Sequence, residues 1–130
     1  MNTLSQLVGR IAGSFMPIAT RNRSFFINEV PDNLPVDHNR ESISTVINGI
    51  LSAVVMHARD TCIRLSARKY GHVMVLEIQE SGCISTYAMA CGLQEVQSLA
   101  EKVGGSLNIS IQRPASTRIA FSFPNLPAAA

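Results

Sequence analysis

Apolar positions along the chain fall into two alternating periods. Leu4, Leu7, Val8, Ile11, Ala12, Phe15 and Met16 recur at three- and four-residue steps behind Thr3, a residue type that caps helices. The pattern predicts a first helix that Pro17 bends or ends, with Gly9 and Gly13 leaving room for a close neighbour. SFFINEV (24–30) is aromatic and β-branched and predicts a strand, and PDNLPVD (31–37) predicts a loop. A long second helix follows to about Ala58, with Asp37 or Asn39 as candidate caps and Glu41 in its first turn. Its core-facing positions include Val46, Ile50, Leu51, Val54 and Val55, yet it carries Asn48 and Ser52 stacked one turn apart on one face.

The period then changes to two. Ile63, Leu65 and Ala67 alternate with Arg64, Ser66 and Arg68, and after a turn at Tyr70–Gly71, Met74, Leu76 and Ile78 alternate with Val75, Glu77 and Gln79. This is a hairpin with one apolar and one mixed face, so one side of its sheet is expected to be covered. The stretch from Ser81 to Cys91 is rich in small residues and reads as irregular. Leu93, Val96, Leu99, Ala100 and Val103 mark a third helix, stopped at Gly104–Gly105. SLNISIQ (106–112) and TRIAFSFP (117–124) read as two closing strands joined around Pro114, and residues 125–130 as a frayed tail. The order helix, strand, helix, hairpin, helix, hairpin predicts an α+β fold: a two-layer α/β sandwich with helices on one face of a mixed, mostly antiparallel sheet.

Composition narrows the function. A chain of 130 residues, 46% hydrophobic and 15% charged, suits one globular domain, here 1–130, with residues 1–20 as an N-terminal helix that could serve as connector or dimer helix. Net charge is +2, nine of the eleven basic residues are scattered arginines, and there is no Trp, so a nucleic-acid partner is not expected. Cys62, Cys83 and Cys91 have no metal spacing, and His38, His57 and His72 lie in different elements, so no metal site is expected. No apolar run approaches the roughly 20 residues that span a membrane, and the expectation is a cytoplasmic protein.

Three patches then carry a resemblance. Asn48-Gly49-Ile50-Leu51-Ser52-Ala53 is similar to the N-L-x-x-N-A helix of histidine kinases, Glu80-Ser81-Gly82-Cys83-Ile84 to the D-x-G-x-G that follows a strand, and Ala90-Cys91-Gly92-Leu93 to G-x-G-L at the start of the last helix. Over about Ser24–Pro124 the chain resembles the ATPase domain shared by histidine kinases, type II topoisomerases, Hsp90 chaperones and MutL proteins. The resemblance implies the Bergerat-type ATPase fold without a full ATP lid. It also implies a vestigial or weak nucleotide site at Asn48, Ser52, Glu80, Gly82, Gly92 and Leu93. Each motif departs from the family: Ser52 replaces the Asn that holds magnesium, Glu80 lengthens the Asp that meets adenine, and Ile84 replaces a glycine. The histidines lack the H-E-x-x-T-P-like setting of a phosphorylated kinase histidine, and these 130 residues are not expected to include the helical hairpin that carries one.

The expectation is therefore a degenerate domain with no catalytic residues and no cofactor, serving as a regulatory or protein-binding module in two-component-type phosphotransfer signalling. Its partner would be a response regulator or a kinase, or a second copy packed through the Gly9/Gly13 face. The alternative is a divergent ATP- and magnesium-binding kinase fragment, or an anti-sigma-factor-like protein kinase, with Asn48, Glu80 and Gly82 carrying the site.

Overall fold

The computed structural model describes residues 3–36, 39–82, 86–112 and 116–125. Asp37, His38, Cys83, Ile84, Pro114 and residues 126–130, on which some of the expectations above fall, lie outside these. Helix α1 (Leu4–Ser14) opens with a capping box: Thr3 Oγ1 accepts the Gln6 N–H at 3.2 Å, and the Gln6 side chain accepts the Thr3 N–H. It ends at Phe15, and α2 (Met16–Arg21) follows at once. The first helix thus ends just before Pro17, as expected, and Pro17 falls in the first turn of a second helix, where a missing N–H costs nothing. The apolar face of α1 is buried in the same core as the rest of the chain.

Strand β1 (Phe25–Asn28) leads through a loop to α3 (Arg40–His57). Asn39 occupies the N-cap position, but with φ 55° and no side-chain bond to the helix, so the expected cap is absent there. Strands β2 (Cys62–Tyr70) and β3 (Val73–Glu80) form the hairpin. The small-residue stretch expected to be irregular contains a helix, α4 (Thr86–Gly92), whose Met89 is fully buried. That burial, which local composition does not reveal, is what tertiary packing adds to a weak helical stretch. One residue later α5 (Gln94–Lys102) begins, followed by β4 (Ser106–Gln112) and β5 (Ser116–Pro124).

The five strands lie in the order β1-β2-β3-β5-β4, with β1 parallel to β2 and every other neighbour antiparallel. Ile63, Leu65, Met74, Leu76, Ile78, Ile119 and Phe121 point to the helical side and are essentially inaccessible. The opposite face is left open, as the alternation requires. Asn125, at the start of the expected frayed tail, is buried: its N–H donates to His72 O at 2.7 Å and its amide to Pro35 O at 2.8 Å.

Candidate functional site

Helix α3 turns its apolar residues to the sheet, which leaves the face bearing Asn48 and Ser52 turned toward α5. Between the two helices runs a groove of about 450 Å³ lined by Asn48, Gly49, Ser52, His57, Gly92 and Glu95, among others. Asn48 is exposed and Ser52 half-buried. Neither side chain hydrogen-bonds another described residue, whereas Thr45, one turn earlier, is bonded back to Glu41 O at 3.0 Å. The helices approach through Gly49: a Cβ there would stand 2.7 Å from Val96 Cγ2. Gly92 likewise faces Ala53, so the floor of the groove is made by small residues in contact.

Glu80 and Gly82 belong to a second cluster, at the end of β3. Strand alternation sends Glu80 inward with Met74, Leu76 and Ile78, and it is only 4% exposed. Its Oε2 accepts the Gly82 N–H at 2.6 Å. Gly82 has no space for a side chain, since a Cβ would lie 2.1 Å from Arg59 O and 2.8 Å from Thr61 Cβ. The same crossing is stitched by Arg59 N–H to Gly82 O at 2.9 Å and by Ser81 N–H to Thr61 Oγ1 at 3.2 Å. Leu93 is buried in the core and does not line the groove. The structure thus gathers Asn48, Ser52 and Gly92 in one groove, and places Glu80 and Gly82 in a separate turn, where Glu80 is buried and Gly82 half-buried.

Two residues with no part in the motif reading belong in this description. Thr117, paired across the sheet with Glu80, is 2% exposed and sets a hydroxyl-bearing side chain beside that carboxylate on the inward face. The period-two pattern that brings Ile119, Phe121 and Phe123 inward also brings Thr117, and that was the available signal. Glu95 enters the groove from the first turn of α5. It is the one formally charged side chain among the described residues lining that groove, and it is negative.

The N-terminus of α5 is the end at which a helix ordinarily offers free N–H groups to an anion. Here α4 ends one residue earlier, and the linking Leu93 donates its N–H to Met89 O and Ala90 O, each at 3.1 Å. The carbonyl end of α4 therefore meets the amide end of α5, and the opposed partial charges offset one another. Among the described residues no group of His, Cys, Asp and Glu is placed to hold a metal ion, and no helix is long and apolar enough to cross a membrane.

Element order, sheet order and helical layer together define the fold of a histidine kinase ATPase domain. The similarity is one of structure. The histidine kinase AdeS of Acinetobacter baumannii superposes with a TM-score of 0.82 at 14% identity, covering 97% of this chain and 66% of that one. The catalytic domain of the histidine kinase ThkA, in a nucleotide-free form, gives 0.78 at 15% identity over 95% of this chain and 93% of that domain. ThkA in complex with the response regulator TrrA gives 0.75 at 17% identity, covering 98% of this chain and 42% of the matched one. No protein-family model and no curated protein matches the chain by sequence.

Proposed function

We propose that this chain is a histidine-kinase-like ATPase domain that has given up its nucleotide. It works as a regulatory or protein-binding module in cytoplasmic two-component-type signalling, with a response regulator or a kinase as partner. The observation that carries this reading is the α5 end of the groove. Phosphoryl transfer rests on positioning and on neutralising negative charge. The described lining of the groove contains no Lys or Arg, carries Glu95 from the first turn of α5, and has α4 against the N-terminus of that helix. Ser52 offers magnesium one short hydroxyl. The residues present do not fit a magnesium–triphosphate group. The complex of ThkA with TrrA supplies the precedent for a response regulator beside this fold.

The alternative, a divergent kinase-like domain that retains nucleotide, draws support from the buried Glu80–Thr117 pair and from the uncommitted side chains of Asn48 and Ser52. Thermal melting with a non-hydrolysable ATP analogue and magnesium separates the two. A ligand at a thousand times its dissociation constant adds about 4 kcal/mol, which in a domain of this size raises Tm by on the order of 10 °C. No shift at millimolar nucleotide is expected. A clear shift that Glu80→Ala abolishes overturns the proposal.

A further inference from the structure

We propose that the open face of the sheet, where Arg64, Arg68 and Arg118 line one shallow trough, is a docking surface for an acidic segment of a protein partner. This deepens the protein-binding reading above and rests on it.

The helical layer leaves that face of β2, β3 and β5 uncovered. Two concavities, of about 430 and 350 Å³, lie on it and adjoin at Gln79, which lines both. Arg68 and Arg118 line the first and Arg64 the second. Register fixes their spacing. Arg64 pairs with Gln79, and Gln79 with Arg118, so the two arginines stand level, two strands apart, with backbones separated by about 10 Å. Arg68 is four residues along β2 from Arg64, about 13 Å away. Three guanidinium groups thus mark a broad triangle.

Among the described residues little answers that charge. Two carboxylates, Glu77 and Glu80, line the trough against the three arginines. Glu77 meets Arg118 Nε at 3.8 Å, too far for a hydrogen bond, with both side chains about 40% exposed. Glu80 is only 4% exposed and accepts the Gly82 N–H. Arg64 and Arg68 are exposed and form no ion pair with a described residue. Tyr70 and Phe25, 59% and 53% exposed, rim the same face, Phe25 through its pairing with Cys62. Arginine and aromatic side chains around a concave centre are the composition of a protein interface, where Arg forms paired bonds to carboxylates. The three arginines outnumber the two carboxylates that line the trough, which favours an acidic occupant, and the span suits a segment with carboxylates spaced along ten or more ångströms. A single small anion would engage only one corner.

The probe is a decaglutamate peptide added to the ¹⁵N-labelled full chain, followed by two-dimensional amide NMR. The expected shifts cluster on β2, β3 and β5. Arg64→Glu/Arg68→Glu, at two exposed positions where folding should be unaffected, weakens binding about tenfold or more. Arg10→Glu/Arg40→Glu, in the helical layer, leaves it unchanged. Shifts spread over all exposed arginines, no shifts, or binding indifferent to Arg64→Glu/Arg68→Glu would each overturn the proposal. So would equal binding of a DNA duplex at the same face. ATP analogue and magnesium in the same spectra report separately: shifts confined to α3 and α5 defeat the nucleotide-free reading and leave the sheet face untouched.

Discussion

Replacing Gly82 by alanine tests whether this glycine serves a ligand or the fold. Its Cβ would be placed 2.1 Å from Arg59 O, more than an ångström inside ordinary contact, and the obstacle is backbone. Arg59 cannot retreat without stretching its own 2.9 Å bond to Gly82 O, and the neighbouring Ser81–Thr61 bond shares the crossing. Overpacking of this kind costs about 1–3 kcal/mol, and losing one backbone hydrogen bond about 1 kcal/mol more. Against that, alanine stiffens the unfolded chain and returns about 0.4–1 kcal/mol. The net expectation is a loss of roughly 2 kcal/mol, since the steric and hydrogen-bond costs outweigh the entropic gain. With a urea slope of about 1–3 kcal/mol/M, the unfolding midpoint falls by on the order of 1 M at unchanged slope. A midpoint within about 0.2 M of the parent would show that the crossing yields freely and that the glycine is kept for something other than this contact.

The remaining expectations are briefer. Gly49→Ala pushes a methyl group against Val96 Cγ2 at a cost of about 1–3 kcal/mol, offset by about 1 kcal/mol of helix propensity in the interior of α3, for a net loss of about 1 kcal/mol; adding Val96→Ala recovers part of it, and a double-mutant cycle showing simple additivity would refute direct contact between α3 and α5. Thr3→Ala removes the oxygen that caps α1 and lowers stability by about 1 kcal/mol, read as a Tm lower by a few degrees; an unchanged Tm would mean the capping box carries no weight. Arg23→Ala breaks the ion pair to Asp60, but with side chains 76% and 58% exposed the loss stays within about 0.5 kcal/mol; a salt-independent loss several times larger in chemical denaturation would contradict the exposure.

Elements with a strong period were legible because each buries a full stripe. The hairpin alternation, the stripe on α3 and that on α5 read directly from Ile63 to Ile78, from Val46 to Val55 and from Val96 to Val103. What failed depends on contacts that sequence spacing does not encode. Helix α4 owes its existence to the burial of Met89 among distant partners, so its small residues read as loop. Pro17 marks where α1 ends, but not that α2 starts at once, which rests on the turn at Phe15. Asn39 has the right chemistry for a cap, but its left-handed backbone aims the side chain elsewhere. At the site, Asn48 and Ser52 were visible as a polar pair on an apolar helix. Glu95 was not, because its place in the groove follows from how α5 packs on α3.

The motif residues divide by what holds them. Gly82 is fixed by backbone contact, Leu93 by the core, and Gly92 by its approach to Ala53. Each has a sufficient reason to be what it is without any ligand. Asn48 and Ser52, by contrast, face an open groove and bond to nothing described, so packing places no demand on their identity. Chemistry would have to supply that demand, and at the second of these positions the chain departs from the kinase pattern. A match at a packed position therefore reports the scaffold, and only a match at an uncommitted position speaks for nucleotide. By that criterion Asn48 alone speaks for it in the groove, against Ser52 and the carboxylate of Glu95. The scaffold can thus be recognised at 14–17% identity without its activity following. The uncommitted groove side chains, not the packed glycines, are where binding experiments on this fold have discriminating power.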